Sequence, residues 1–327
     1  MQIPPNYQIS REILNLVSKI DALRLFFTSF EISPAIRNRI HHLNTLKSSL
    51  FSARIEGNPL TLNDIENGYP KDKREIQNIL DAIHLIDTTV KPKSTIDMSV
   101  IRLLHATTTK GIGMDQGQFR TELSAIFNST GIAVYVPPPP SEILGLISQL
   151  IRYIQSSDES FPIIKAMMSH LIFEKIHPFL DGNGRVGRLL VYAILKSSEY
   201  DFGFCVPFEE YLDEHKDAYY ESLDIGMKNP EDFLLTLLEA YYAEAEKMKS
   251  LISEEVSHKN EIILPPRREE ILQIVKDHHL VSFDFIKRRF LEVPARTIHY
   301  DLEKLQEKKL ILKVGKTRGS FYTISNL

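Results

Sequence analysis

The chain reads as a mainly helical protein with one β-hairpin in its middle and a small α+β domain at its C-terminal end. Three observations predict this. Two apolar runs of helical character, Ile163 to Ile176 and Leu189 to Leu195, have the length and composition of core helices. Before the C-terminal region, one stretch alone shows two β-prone runs about a polar turn containing glycine. The last segment, Pro266 to Leu327, shows three helical stretches followed by two short β-prone runs.

Taken in order, residues 1–95 form an N-terminal helical region. Leu43, Leu46, Leu50 and Ile55 are spaced approximately for one helix face, and Gly57-Asn58-Pro59 ends that helix through both a glycine and a proline signal. Lys91-Pro92-Lys93-Ser94 breaks the chain, and Thr95 or Asp97 caps the next helix. A core then occupies 96–250. Within it, Gly117 to Phe127 and Ile132 to Val136 flank the turn Asn128-Ser129-Thr130-Gly131, the hairpin signal. Pro137 to Pro140 form a stiff extended connector or, alternatively, a ligand for proline-reading domains. Tyr211 to Tyr220 is an aromatic-rich helical stretch. Residues 251–266 serve as a linker helix ending at Leu264-Pro265-Pro266, and 267–327 form the last domain. There, Arg267 to His278, Ser282 to Phe290 and Pro294 to Lys308 read as helices, with strands at Leu310 to Val314 and Ser320 to Ile324.

Composition agrees with a folded globular protein: of 327 residues, 43% are hydrophobic and 25% charged. The start lacks a basic and apolar leader, and no apolar stretch approaches the ~20 residues that span a bilayer, so no membrane is expected and a cytoplasmic location is. The single cysteine, Cys205, has no partner for an intramolecular disulfide and reads as buried packing near Phe202 and Phe204. His41-His42 and His278-His279 are adjacent pairs, not the helical spacing that shares a metal, so zinc is not expected. Charge is divided unequally. From Pro266 onward 13 Lys and Arg stand against 8 Asp and Glu, a net of +5, which leaves −9 for the preceding part of a chain whose total is −4.

The densest chemistry lies between the two apolar runs, in His177-Pro-Phe-Leu-Asp-Gly-Asn-Gly-Arg-Val-Gly-Arg188. Glycines at 182, 184 and 187 permit positive φ or close approach of a ligand, and a helix opening there directs N–H groups and the positive end of its dipole outward. Anions bind such places. Arg185 and Arg188 are three apart and share one helix face, which sets two guanidinium forks beside those N–H groups and suits a polyphosphate. Asp181 adds a carboxylate oxygen of the kind that shares Mg²⁺ with phosphates. His177 is the side chain able to accept a proton near neutral pH.

This string resembles the signature of the Fic family, His-x-Phe-x-(Asp/Glu)-Gly-Asn-Gly-Arg-x-x-Arg, and meets it at His177, Phe179, Asp181, Gly182, Asn183, Gly184, Arg185 and Arg188. The resemblance implies a Fic helical core with a β-hairpin flap that transfers AMP from ATP to a Ser, Thr or Tyr hydroxyl of a target protein or of the chain itself. It implies His177 as general base and Asp181 as holder of Mg²⁺. The nucleotide would lie along Gly182, Asn183, Gly184, Arg185, Val186, Gly187 and Arg188, with Asn183 and nearby N–H groups on the α-phosphate and both arginines on the β- and γ-phosphates. Phe179 would anchor the loop. Tyr219, with Tyr220 as the alternative, would border the adenine or ribose.

A second segment resembles the family's inhibitory motif, (Ser/Thr)-x-x-x-Glu-(Gly/Asn), through Ser52, Glu56 and Gly57. The resemblance pairs Glu56 with Arg188 and so makes the enzyme auto-inhibited, with relief inside one chain and relief through a homodimer both open. The hairpin resembles the flap that holds a target by strand addition; edge decoration is the structural alternative. The last domain resembles a winged helix. Arg296, Thr297 and His299 would face a DNA groove and Lys316 and Arg318 its phosphates, while Asp301, Glu303 and Glu307 on the same helix favour protein contacts instead. An alternative function follows: a DNA-binding regulator whose core senses nucleotide or removes AMP.

Overall fold

The structure, a computed structural model, describes the chain except residues 30–33, 65–69, 114–115, 128–132, 201, 260–263, 279, 292, 315–319 and 326–327; at 35, 70–71, 127, 133–134 and 254–259 it describes backbone alone. The hairpin turn at 128–131 and the basic loop with Lys316 and Arg318 therefore lie outside the described residues.

Two compact units emerge, Met1–Leu251 and Ile252–Leu327. The first begins with helices α1 (Arg11–Ser29), α2 (Pro34–Ile55), α3 (Pro70–Thr89) and α4 (Met98–Thr108). A short hairpin, β1 (Ile126–Phe127) and β2 (Ala133–Tyr135), is antiparallel with a one-residue slip in register. Then come α5 (Pro140–Gln155), α6 (Pro162–Ile176), α7 (Asn183–Ser197), α8 (Glu209–Glu214), α9 (Lys216–Ile225) and α10 (Pro230–Lys259).

Helix α6 occupies the centre. Every residue from Ile163 to Ile176 except Lys165 is buried, and a helix apolar on all sides has nowhere else to go. It packs against α7 and α5, while α4, α3 and α2 close on α7. Proline opens α5 and α6, where its missing N–H costs nothing. Asp97 caps α4, accepting from the N–H groups of Ser99 and Val100. Cys205 is free and buried.

Three expectations change. The face that α2 buries is only partly the expected one. Leu50 and Ile55 are buried, but Leu43 is exposed, and Asn44, Ser48, Ser49 and Ser52 join the buried face, because small and polar side chains let α2 approach closely and meet polar partners. Asn44, for example, donates from Nδ2 to the Cys205 carbonyl at 3.0 Å. The Tyr211–Tyr220 stretch is two helices, broken at His215, whose φ of −118° and ψ of 40° leave the helical region. The third change concerns the second unit.

That unit runs α11 (Pro266–His278), β3 (Leu280–Ser282), α12 (Phe283–Lys287), α13 (Ala295–Glu307), β4 (Ile311–Val314) and β5 (Phe321–Ile324). Its antiparallel sheet has order β3-β5-β4, so Leu280–Ser282 is a strand that the sequence reading placed before and within a helix. Three residues carry too little periodicity to announce a strand; pairing with Tyr322 and its neighbours makes it one. Ile271, Val275, Ile286, Ile298, Leu305 and Tyr322 fill the unit's core. Asp301, buried on α13, accepts from Nε of Arg267 at 2.5 Å and Nε of Arg268 at 2.8 Å.

Among the described residues, no helix is long and apolar enough to cross a membrane.

Candidate active site

The loop between α6 and α7 is a tight structure held by its own residues. His177 caps α6 in the left-handed region, at φ 48° and ψ 60°. Gly182 precedes α7 at φ 78°, where glycine alone is unstrained. Between them Asn183 closes the loop: its Oδ1 accepts from the Phe179 N–H at 2.9 Å and its Nδ2 donates to the Phe179 carbonyl at 2.8 Å. Both ends of the Asn183 amide are thus engaged, so its side chain shapes the loop. Phe179 is fully buried and stacks on His105 of α4, with ring centroids 3.6 Å apart.

His105 was not singled out from sequence, and nothing local marks it. Its Nδ1 accepts from the Gly117 N–H at 2.8 Å, which leaves Nε2 to donate to the Asp181 carbonyl at 3.0 Å. One neutral tautomer satisfies both. Arg120, in the segment before the hairpin, is buried and spans the site's other side. Its guanidinium donates to the carbonyls of His177, at 2.8 Å, of Glu122, and of Pro138. A single cation therefore ties the His177 backbone to both stems of the hairpin.

His177 itself is largely enclosed, and its Nδ1 is buried. Burial pushes its pKa down to about 4; the Arg120 charge works the same way, and the Glu174 carbonyl, Glu56 and Asp181 oppose. The imidazole is a free base at neutral pH, ready to take a proton.

No side chain caps the start of α7. The first helical turn therefore presents N–H groups at Asn183, Gly184 and Arg185 without carbonyls inside the helix to receive them. Val186 is different: its N–H donates to the Gly182 carbonyl at 3.1 Å and its side chain is buried, so it has nothing to offer a ligand. Gly184 opens onto the site, since a Cβ there would lie 2.1 Å from Oε1 of Glu56 and 3.1 Å from Nη1 of Arg188. Gly187 faces inward. A Cβ there would lie 2.5 Å from Oε1 of Glu174 and 2.6 Å from Nδ1 of His170, both buried on α6. Gly187 is thus a packing position, and Gly187→Ala is expected to destabilise the protein by about 1–3 kcal/mol, the usual cost of overpacking. A urea or thermal denaturation midpoint equal to wild type would contradict this.

Arg188 is 1% exposed. Its Nε donates to Ser52 Oγ at 2.9 Å, and Nη2 donates to the Ser52 carbonyl and to Glu56 Oε1, each at 2.9 Å. Burial, the largest single influence, opposes its charge, but the charge and hydrogen bond of Glu56, with Tyr219 and Tyr220, together push the guanidinium above the ordinary arginine value. The end of α2 that carries Glu56 is pinned in turn. Arg54 pairs with Asp213 at 2.9 Å, and Tyr220 Oη donates to the Ile55 carbonyl at 3.1 Å.

Arg185, also buried, pairs through Nη1 with Glu75 of α3 at 2.5 Å and through Nη2 with both Asp181 oxygens at 3.0 Å. The Asp181 side chain is 75% exposed. An accessible carboxylate beside Arg185 suits a divalent ion shared with phosphates better than a metal held by protein alone, and the described residues contain no group of three His, Cys, Asp or Glu to hold one.

Tyr219 departs from its expected place. It is 1% exposed, its ring stacks with His170, and its hydroxyl lies 2.9 Å from His170 Nε2, so it belongs to the core behind Arg188. Tyr220 is the partly exposed member of the pair. Beside them Glu174 is buried; burial first, then the Glu56 charge, pushes its pKa up to about 8.

The profile of the Fic/DOC family matches residues 95–195, which contain the hairpin and the whole loop. A Fido domain-containing protein of Dictyostelium discoideum is 36% identical over 120 residues, 34% of this chain and 79% of that protein. The chain belongs to the Fic/DOC family. Its Fic fold extends further than the family profile. A Fic family protein from Desulfovibrio desulfuricans G20, 20% identical, aligns over 99% of this chain and 98% of its own with a TM-score of 0.77. Protein adenylyltransferase Fic of Drosophila ananassae is 28% identical over 203 residues, 58% of this chain. The chain spans 39% of that relative's length.

Proposed function

We propose that this Fic chain is a protein adenylyltransferase, transferring AMP from ATP to a Ser, Thr or Tyr hydroxyl of a target protein or of itself, and that Glu56 restrains it. The observation that carries the proposal is the 2.9 Å ion pair between Glu56, at the end of α2, and Arg188 of α7, the helix that carries Arg185 and follows the loop with His177 and Asp181. A carboxylate sits on the cation that a triphosphate would need.

In this reading His177 takes the proton of the target hydroxyl as its oxygen attacks the α-phosphorus. The new P–O bond replaces the one to pyrophosphate, which leaves carrying the electron pair. Free N–H groups of the first turn of α7 face the α-phosphate where negative charge develops, and Arg185 and Arg188 hold the departing phosphates. Mg²⁺, held by Asp181 and the phosphates, would neutralise charge on the leaving group. The hairpin would seat the target by strand addition, with exposed Leu123 and Val136 as apolar contacts on either stem. We read the second unit as a winged-helix module for targeting or regulation. A DNA-binding role gains from Asp301, whose negative charge is buried against Arg267 and Arg268, away from the exposed Arg296 and His299.

Incubation with Mg²⁺ and α-labelled ATP, followed by mass spectrometry, is expected to show AMP on a hydroxyl side chain. Salt-sensitive DNA binding with no such adduct, in wild type and in Glu56→Gly, would favour a nucleotide-sensing DNA regulator instead.

A further inference from the structure

Arg185 is held at two edges by carboxylates of different character. Asp181 is short, lies on the loop and is mostly exposed, whereas the Glu75 side chain is 19% exposed and is itself held. Asn58 donates from Nδ2 to Glu75 Oε2 at 2.8 Å and to the Asp72 carbonyl at 3.0 Å, and its Oδ1 accepts from the Leu60 N–H at 3.1 Å. Each end of the Asn58 amide is used, so Glu75 is fixed from behind while its other oxygen grips Nη1. Nε of Arg185 is buried without a partner. The guanidinium is therefore aimed by α3, and the Nη2 edge is the one whose partner can leave.

From this arrangement we infer that Glu75, backed by Asn58, is a positioning residue that fixes the Arg185 fork for the β- and γ-phosphates of ATP. The inference rests on the adenylyltransferase reading of the same site. A phosphate that takes the place of Asp181 at Nη2 meets an arginine already oriented, because Glu75 keeps the opposite edge. Without Glu75 the side chain would have to be ordered by the nucleotide itself, and affinity would fall by that ordering cost. Asn58 lies two residues after Glu56, so the turn that ends α2 serves both arginines: Arg188 directly and Arg185 through Glu75.

The experiment measures equilibrium binding of ATP and of adenosine, with Glu56→Gly as parent to leave Arg188 open. Glu75→Gln in that parent is expected to weaken ATP about tenfold, the scale of one charge-assisted hydrogen bond, and to leave adenosine unchanged. Asn58→Ala should act in the same direction with smaller effect while keeping Glu75 itself. In an Arg185→Ala parent, Glu75→Gln should change nothing further, since coupled groups are not additive. Equal loss of ATP and adenosine, no loss of ATP, or full additivity with Arg185→Ala would each overturn the positioning role. Failure of the Glu56→Gly parent to bind ATP at all would remove the adenylyltransferase reading, and this inference with it.

Discussion

Glu56→Gly is expected to raise incorporation of label from α-labelled ATP by about ten- to a hundredfold over wild type. The scale follows from the contact removed: a hydrogen bond between charged groups contributes about 1.5–3 kcal/mol, and 1.36 kcal/mol is a factor of ten in rate or affinity. Geometry supports a direct block. Glu56 Oε1 lies 2.9 Å from Arg188 Nη2 and so close to Gly184 that a Cβ there would overlap it. Removing the side chain opens both the cation and the first turn of α7. Arg188 keeps its two bonds to Ser52, so the variant retains the fold that binds nucleotide. Glu56→Gln, which keeps the bulk and loses the charge, should gain less. Incorporation equal to or below wild type in well-folded Glu56→Gly would end the restraint hypothesis.

His177→Ala is expected to lower transfer by about 10²–10⁴-fold, the usual contribution of a general base, while sparing ATP binding. Comparing the two variants in one background, Glu56→Gly with and without His177→Ala, keeps the measured rate high enough to resolve the loss. A pH profile adds a second check. A histidine of ordinary pKa 6.5 would protonate and lose function as pH falls through that value, but burial brings His177 down to about 4. Activity in Glu56→Gly should therefore persist through pH 6 and fall only toward pH 4. Losing the Glu56 carboxylate removes a group that favours imidazolium, so the fall moves to lower pH still. Retained transfer in His177→Ala, or an acid limb near 6.5, would take the role of base away from His177.

Much of the site was legible because its chemistry is contiguous. His177, Asp181, Arg185 and Arg188 lie within one loop and one helix turn, where spacing fixes which groups share a face. Glu56 was legible only through a second motif far earlier in the chain; its spacing alone gave no partner. Residues at neighbouring positions were harder to sort. Gly184 and Gly187 are alike in the string, yet one opens to the site and the other to the core, because they lie about a helical turn apart against different neighbours. Tyr219 and Tyr220 likewise point to opposite environments. Asn183 reads as a phosphate contact, and the fold adds a role that the string does not announce: its carboxamide closes the loop on the Phe179 backbone. His105 and Glu75 carried no local signal at all, and Asn58 stood only within the turn that ends α2. Each acts across the fold, and a lone histidine, glutamate or asparagine on a helix or turn is ordinary until its partner is known.

By itself the sequence determined the helical character of the chain, the position of the hairpin, and the inventory of base, carboxylate and cations gathered at the start of one helix. Those follow from local properties: periodicity, glycine and proline signals, and side-chain chemistry at short separation. Tertiary structure alone decided which charges meet. Glu56 and Arg188 are 132 residues apart, and Glu75 and Arg185 are 110 apart. Such pairs form because α2 and α3 both pack on α7, which brings carboxylates from early in the chain against arginines buried on that helix.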